Sequence, residues 1–91
     1  MEMQAIKELI AKLKTVAENI ENGQISTRRE IEAALGGDYF CVMENMDRLL
    51  NEMKETAHCV PVVKADYMRL LATTVRLEIA VVNVLLNEKQ Q

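Results

Sequence analysis

The last third of the chain carries the densest apolar pattern. Between Ala65 and Leu86, fifteen of twenty-two positions are apolar, and neither glycine nor proline interrupts them. At about 100° per residue on a helix, these positions cover an arc of roughly 200°, about twice the width that a surface helix needs to pack on one core. We therefore predict a long helix over residues 65–88 that buries two of its sides.

Two stripes make up this arc, and a narrow polar strip completes the circumference. The first stripe contains Met68, Leu71, Val75, Ile79 and Val82, and the second contains Leu70, Leu77 and Val81. The polar strip contains Asp66, Arg69, Thr73, Arg76, Ala80 and Asn83. We expect the second stripe to form the seam of a homodimer, because it exceeds what the first three helices can cover.

Glu78 lies between the two stripes. A carboxylate there must reach solvent or find a partner, because an unpaired buried charge is costly. Arg28, Arg29 and Arg48 are candidate partners within the chain. Two alternatives stay open for Glu78: an edge position that reaches water, and a charged pair that sets the register of the dimer.

Three further helices are predicted before this one. Residues 2–22 repeat apolar side chains at three- and four-residue spacing, and Gly23 follows as a left-handed cap. Thr27 to Glu30 has the form of a capping box and starts a short second helix, which Gly36 and Gly37 end. Asp38 can cap a third helix that runs to about residue 56.

His58 to Val63 is the least helical stretch and is expected to connect the third and last helices. Val60 precedes Pro61 and is biased toward extended backbone. The start of the last helix is open, since Pro61 could occupy its first turn and Asp66 could cap a later start. Together these patterns predict one all-α domain over residues 1–91, a small bundle of three long helices and one short helix.

The stretch from Ser26 to Gly36, followed by Val42, Met46 and Leu49, resembles the helix-turn-helix of winged-helix regulators. In that family a scaffold helix precedes a short helix, a glycine turn and a recognition helix, and residues 6–53 would supply all of them. The resemblance covers about half of the chain. It implies a DNA-binding transcriptional regulator as the alternative function.

Charge disfavours this alternative. The chain has 11 basic and 14 acidic residues, a net charge of −3 at pH 7. Between Arg28 and Glu55, four basic residues stand against seven acidic ones, which is again a net charge of −3. Non-specific DNA affinity comes mainly from Lys and Arg side chains that contact phosphates. We therefore expect no tight binding to duplex DNA, and nucleic acid stays a disfavoured partner.

Cys41, His58 and Cys59 are residue types that zinc prefers, but their spacing argues against a metal site. Cys41 and Cys59 would lie about 27 Å apart on a continuous helix, whereas a disulfide needs Cα atoms within about 7 Å. The sequence contains neither a phosphate-binding glycine loop nor a nucleophile elbow, and no third group is placed to orient a Cys–His pair. We predict no enzyme activity, no metal and no cofactor.

Two cysteines in a chain without a signal-peptide pattern fit a reducing cytoplasm. The segment 65–86 has the length of a membrane span but contains Arg69, Arg76 and Glu78. Charges at the centre of such a helix cost about 2.5–3.5 kcal/mol each on insertion scales. We therefore expect a cytoplasmic protein and no contact with a membrane.

Phe40 falls outside the apolar stripe of the third helix, so it either packs on a neighbouring loop or anchors a partner. The candidate interaction residues are Phe40, Leu70, Leu77, Glu78 and Val81. The sequence as a whole predicts a small protein–protein interaction module, a regulator, adaptor or inhibitor, that forms a homodimer through its last helix. The identity of its protein partner is not readable from these residues.

Overall fold

Four helices form the protein in a computed structural model that describes residues 3–90. They are α1 (Met3–Glu21), α2 (Arg28–Leu35), α3 (Tyr39–Cys59) and α4 (Pro61–Gln90). The predicted all-α bundle of three long helices and one short helix is confirmed, and residues 3–90 contain no strand. The predicted helix start at Glu2 lies outside the described residues.

Helix α4 is the centre of the bundle. Its 30 residues correspond to about 45 Å, close to the 48 Å length of the whole molecule. It packs against both α1 and α3, whereas no described Cα atom of α1 lies within 8 Å of one in α3. The short helix α2 contacts all three other helices. The fold therefore depends on α4 as the element that joins the other two long helices.

The two long helices that flank α4 run in opposite directions. Lys7, near the start of α1, lines a cleft with Asp66, near the start of α4. Glu21, at the end of α1, forms an ion pair with Arg76 further along α4, so the two helices run parallel. Helix α3 reaches α4 through the single residue Val60 and lies antiparallel to it. The molecule is a rod of 48 × 20 × 19 Å. The starts of α1 and α4 lie at one end of this rod, and α2 closes the other end.

The connection between α3 and α4 is much shorter than predicted. The connector over His58–Val63 is wrong, because α3 continues to Cys59 and α4 begins at Pro61. Val60 adopts φ −122° and ψ 110°, the extended conformation that a residue before proline favours. Pro61 fits the first turn of a helix, where its missing N–H has no partner to lose. The alternative cap at Asp66 is wrong, since that residue lies inside α4.

The predicted ends of the short helix α2 are confirmed. The backbone N–H of Glu30 donates to Thr27 Oγ1 at 3.1 Å, and the Thr27 hydroxyl donates to Glu30 Oε1 at 3.0 Å. At the other end Gly36 has φ 81°, which other residues rarely adopt. The N–H groups of Gly36 and Gly37 donate to the Glu32 carbonyl at 2.9 and 3.1 Å. Both ends of α2 are therefore closed by its own flanking residues.

The second apolar stripe of α4 faces the core of its own chain. Leu70 and Leu77 have no exposed area, and 1% of Val81 is exposed. The prediction that these three residues form the seam of a dimer is therefore corrected. The reason is that α1 and α3 both pack along this side of α4, while α2 adds Ile31 and Leu35 to the same core. The largest fully buried side chains of the other helices in this core are Leu13, Ile31 and Met53.

We expect Leu77→Ala to lower the free energy of unfolding by about 2–5 kcal/mol, because it leaves a cavity in the core. Ile79→Ala is the matched control, since it shortens an aliphatic side chain two residues away that is 60% exposed. That change should stay within about 0.5 kcal/mol. Chemical denaturation at high dilution measures both variants without a contribution from self-association. Equal losses in the two variants would mean that α4 presents a different face to the core.

Candidate interaction surface

The face of α4 opposite the core is apolar and exposed to solvent. We call it the outer face, and it comprises Ala65, Met68, Ala72, Val75, Ile79, Val82 and Leu86. Between 46% and 60% of each of its five larger side chains is exposed. A helix that packs on one core normally carries polar residues on this side. A contiguous exposed apolar strip marks an interaction site more often than scattered apolar residues do.

The outer face has the spacing of a coiled-coil seam. Its residues follow one another at intervals of three and four in strict alternation, so the pattern repeats every seven residues from Ala65 to Leu86. This strip is about 32 Å long on a helix. Every one of its positions is apolar. The outer face therefore has the period and the composition that a second helix needs in order to pack along it.

Two open clefts with charged rims flank the outer face. The cleft between α1 and α4 has a volume of about 360 Å³ and is lined in part by Lys14 and Arg69. The cleft between α3 and α4 has a volume of about 310 Å³ and is lined in part by Lys54 and Lys64. An apolar centre with a polar rim is the usual anatomy of a protein–protein interface.

Arg76 borders the outer face on the side of α1 and is held by Glu21. Its guanidinium donates two hydrogen bonds to the two oxygens of that carboxylate, one of them at 2.9 Å. The hydrogen bond to Arg76 holds the pKa of Glu21 below its ordinary value, and the same bond raises the pKa of Arg76. This exposed pair connects the end of α1 to the middle of α4.

Glu78 borders the outer face on the side of α3 and is half-buried. Within residues 3–90, none of its three predicted partners, Arg28, Arg29 and Arg48, forms an ion pair with it. Burial raises the pKa of Tyr39, and the nearby charge of Glu78 raises it further. Glu78 thus occupies an edge position, beside Tyr39 and next to the outer face.

Phe40 lies in the first turn of α3 and is 63% exposed. Asp38 caps this helix, because its carboxylate accepts the N–H of Phe40 at 3.0 Å. The ring meets Tyr39 edge to face, with centroids 5.5 Å apart, and the Arg28 guanidinium lies 5.5 Å from its centroid. Phe40 is therefore an exposed aromatic side chain outside the outer face, held at the corner between α2 and α3.

Arg28 contacts residues of α2, α4 and the turn before α3 at this corner. Its backbone N–H donates to Glu88 Oε1 at 2.8 Å, which joins α2 to the end of α4. Its guanidinium lies 3.6 Å from Glu32 and 3.9 Å from Asp38. The order of α2, glycine turn and α3 matches the predicted helix-turn-helix arrangement, but residues 3–90 form no strand pair that could make a wing. Arg28, one of the three arginines of that arrangement, is thus already paired with carboxylates.

The predicted polar strip of α4 faces partly into the bundle. Only 1% of Asp66 and 5% of Ala80 is exposed. Asp66 Oδ1 accepts from Arg69 at 3.3 Å, while its buried Oδ2 has no hydrogen-bond partner within the described residues. Lys7 and Lys14 line the same cleft as this carboxylate. The positive side chains around Asp66 account for its position, because a buried carboxylate requires compensating charge.

The remaining candidate chemistry does not assemble into a site. Cys41 and Cys59 are free and exposed. Within the described residues, no three side chains of His, Cys, Asp or Glu cluster in a way that could hold a metal ion. Residues Pro61–Lys89 are long and apolar enough for a membrane span, with a mean hydropathy of 1.5 in the most apolar window, one third of which is buried in the bundle. The core helix of a bundle meets the same criteria.

The residues of the outer face were not among the interaction residues predicted from the sequence. Four of them, Met68, Val75, Ile79 and Val82, belong to the first stripe. The signal that identifies them is the unbroken alternation of three- and four-residue intervals from residue 65 to residue 86. The second stripe lacks this regularity, because Thr74 interrupts it.

We expect the coupling between Glu21 and Arg76 to depend on pH. Since the folded-state pKa of Glu21 is lowered from 4.5, the pair stabilises the fold fully above about pH 4.5, and this contribution is lost as the pH falls through the lowered pKa. A double-mutant cycle with Glu21→Gln and Arg76→Gln, measured by denaturation from neutral to strongly acidic pH, isolates the coupling. A coupling energy that does not change with pH would contradict the ion pair.

Comparisons with known protein families, with curated proteins and with solved structures found no match to this chain.

Proposed function

We propose that this protein is a protein–protein interaction module that forms a homodimer through the outer face of α4. In this proposal it acts in the cytoplasm as a regulator, adaptor or inhibitor, by occupying a surface of another protein. The observation that supports the proposal is the exposed seven-residue repeat of apolar side chains on a helix whose other side is already buried. Two free, exposed cysteines suit a reducing compartment.

A second copy suits the outer face because the seam of a coiled coil is complementary to another seam of the same kind. Both copies carry the same apolar strip. The side chains of one helix can therefore fit between those of the other. The charged rims on both sides of the strip then remain in contact with water. Phe40 lies outside the strip and stays exposed for a different protein partner.

DNA binding is not the function we propose. Between Arg28 and Glu55 the acidic residues outnumber the basic ones by seven to four. Arg28 also forms ion pairs with Glu32 and Asp38 within the fold. A surface of this kind offers few of the phosphate contacts from which DNA affinity arises.

The test of the proposal is a double substitution, Val75→Glu with Ile79→Glu, on the outer face. We expect the wild type to sediment as a dimer at protein concentrations of roughly tens of micromolar, where a standard interface is populated. The variant should sediment as a monomer with unchanged helix content, because its added charges would be desolvated only in the dimer. The matched control, Ala33→Glu with Asn51→Glu, adds the same charge at exposed positions of α2 and α3 and should stay dimeric.

A wild type that stays monomeric at these concentrations would refute the homodimer. Flotation with phosphatidylcholine vesicles then tests whether the outer face binds lipid instead. Vesicle binding by a monomeric wild type, lost in the Val75→Glu, Ile79→Glu variant, would show that the face contacts lipid and would overturn the proposed function.

A further inference from the structure

We infer that the second copy packs on the outer face in antiparallel orientation, so that the two α4 helices cross a twofold axis near residue 77. This inference rests on the proposed homodimer and adds its geometry. Two independent features of the chain carry it: the distribution of charge along the rod, and the sizes of the side chains along the outer face.

Charge is distributed unequally between the two ends of the rod. The end that holds the starts of α1 and α4, residues 3–14 and 51–70, has six basic and four acidic side chains, a net charge of +2. The end closed by α2, residues 15–50 and 71–89, has five basic and nine acidic side chains, a net charge of −4. An antiparallel pair places the basic end of each copy beside the acidic end of the other. A parallel pair places like charges together along the whole contact.

Basic side chains lie near the start of α4 on both sides of the outer face. On the side of α1, Lys7 and Lys14 lie beside the start of α4, whereas Glu21 lies beside its middle. On the side of α3, Lys54 lines a cleft with Lys64 near the start of α4. In the antiparallel pair these basic side chains lie toward the acidic end of the second copy.

Side-chain size along the outer face favours the same orientation. In a parallel pair Ala65 and Ala72 would each face their own copies, which leaves two thin layers at one end of the seam. In an antiparallel pair centred on residue 77, Ala72 faces Val82 of the second copy, and Met68 faces Leu86 of the second copy. Ala72 then faces a larger side chain instead of a second alanine, which removes one of the two thin layers of the parallel pair.

Glu78 lies close to the twofold axis of this arrangement. Its carboxylate borders the seam and remains half-buried in the monomer, so it keeps access to solvent at the rim. Arg76, on the opposite rim, already has its charge balanced by Glu21. The charge of Arg76 is therefore balanced within its own chain.

The test uses the native cysteines, which are exposed and lie at opposite ends of α3. Full-length protein with Cys41→Ser is spin-labelled at Cys59, next to the start of α4, and the distance between labels is measured by double electron–electron resonance. Residue 61 is about 24 Å along the helix from residue 77, so the antiparallel dimer places the two labels at least about 48 Å apart. The matched control carries Cys59→Ser and is labelled at Cys41, two residues after Tyr39, which lies near Glu78 and hence near the axis.

The expected result is a long distance for Cys59 and a distance at least about 15 Å shorter for Cys41. A Cys59 distance equal to or shorter than the Cys41 distance would show a parallel dimer, which overturns this inference and leaves the proposed function intact. No dipolar coupling in either protein, together with a monomer in sedimentation, would overturn both.

Discussion

The burial of one apolar side of α4 holds this protein together. Leu70, Leu77 and Val81 lie on that side, and the other helices pack around them. Because α1 and α3 do not approach each other closely within the described residues, they are joined only through α4 and α2. The small helix α2 has a large effect, since it covers the end of α4 that two helices alone would leave open. The packing of the other three helices thus depends on one buried side of α4.

The opposite side of α4 is subject to a different constraint. Nothing in the fold requires apolar residues there, and the stability of the monomer gains little from half-exposed valine, isoleucine or leucine. The seven-residue repeat of the outer face nevertheless continues without interruption over six helical turns. Such regularity has a physical purpose only if another surface packs against it. We propose a second copy of the chain as that surface, because its outer face has the same period.

The fold was largely predictable, because the apolar period and the caps of α2 are local signals that act over a few residues. The extent of α4 was also predictable, to within a few residues at each end. The assignment of its two stripes was not, since Asp66, Thr74 and Ala80 make the buried side look less apolar than the exposed one. Their burial depends on how α1 and α3 are placed, which no local pattern contains. The corner formed by Arg28, Phe40 and Glu88 depends on the same long-range placement.

We propose that α4 has two apolar sides, one covered by its own chain and the other by a second copy. Methyl nuclear magnetic resonance with a soluble paramagnetic agent tests it most directly, across a range of protein concentrations. At high dilution the methyl groups of Leu70, Leu77 and Val81 should be protected, and those of Val75, Ile79 and Val82 should be accessible. As the concentration rises, only the second group should become protected. Protection of both groups at high dilution, or accessibility of the second group at every concentration, would contradict the account.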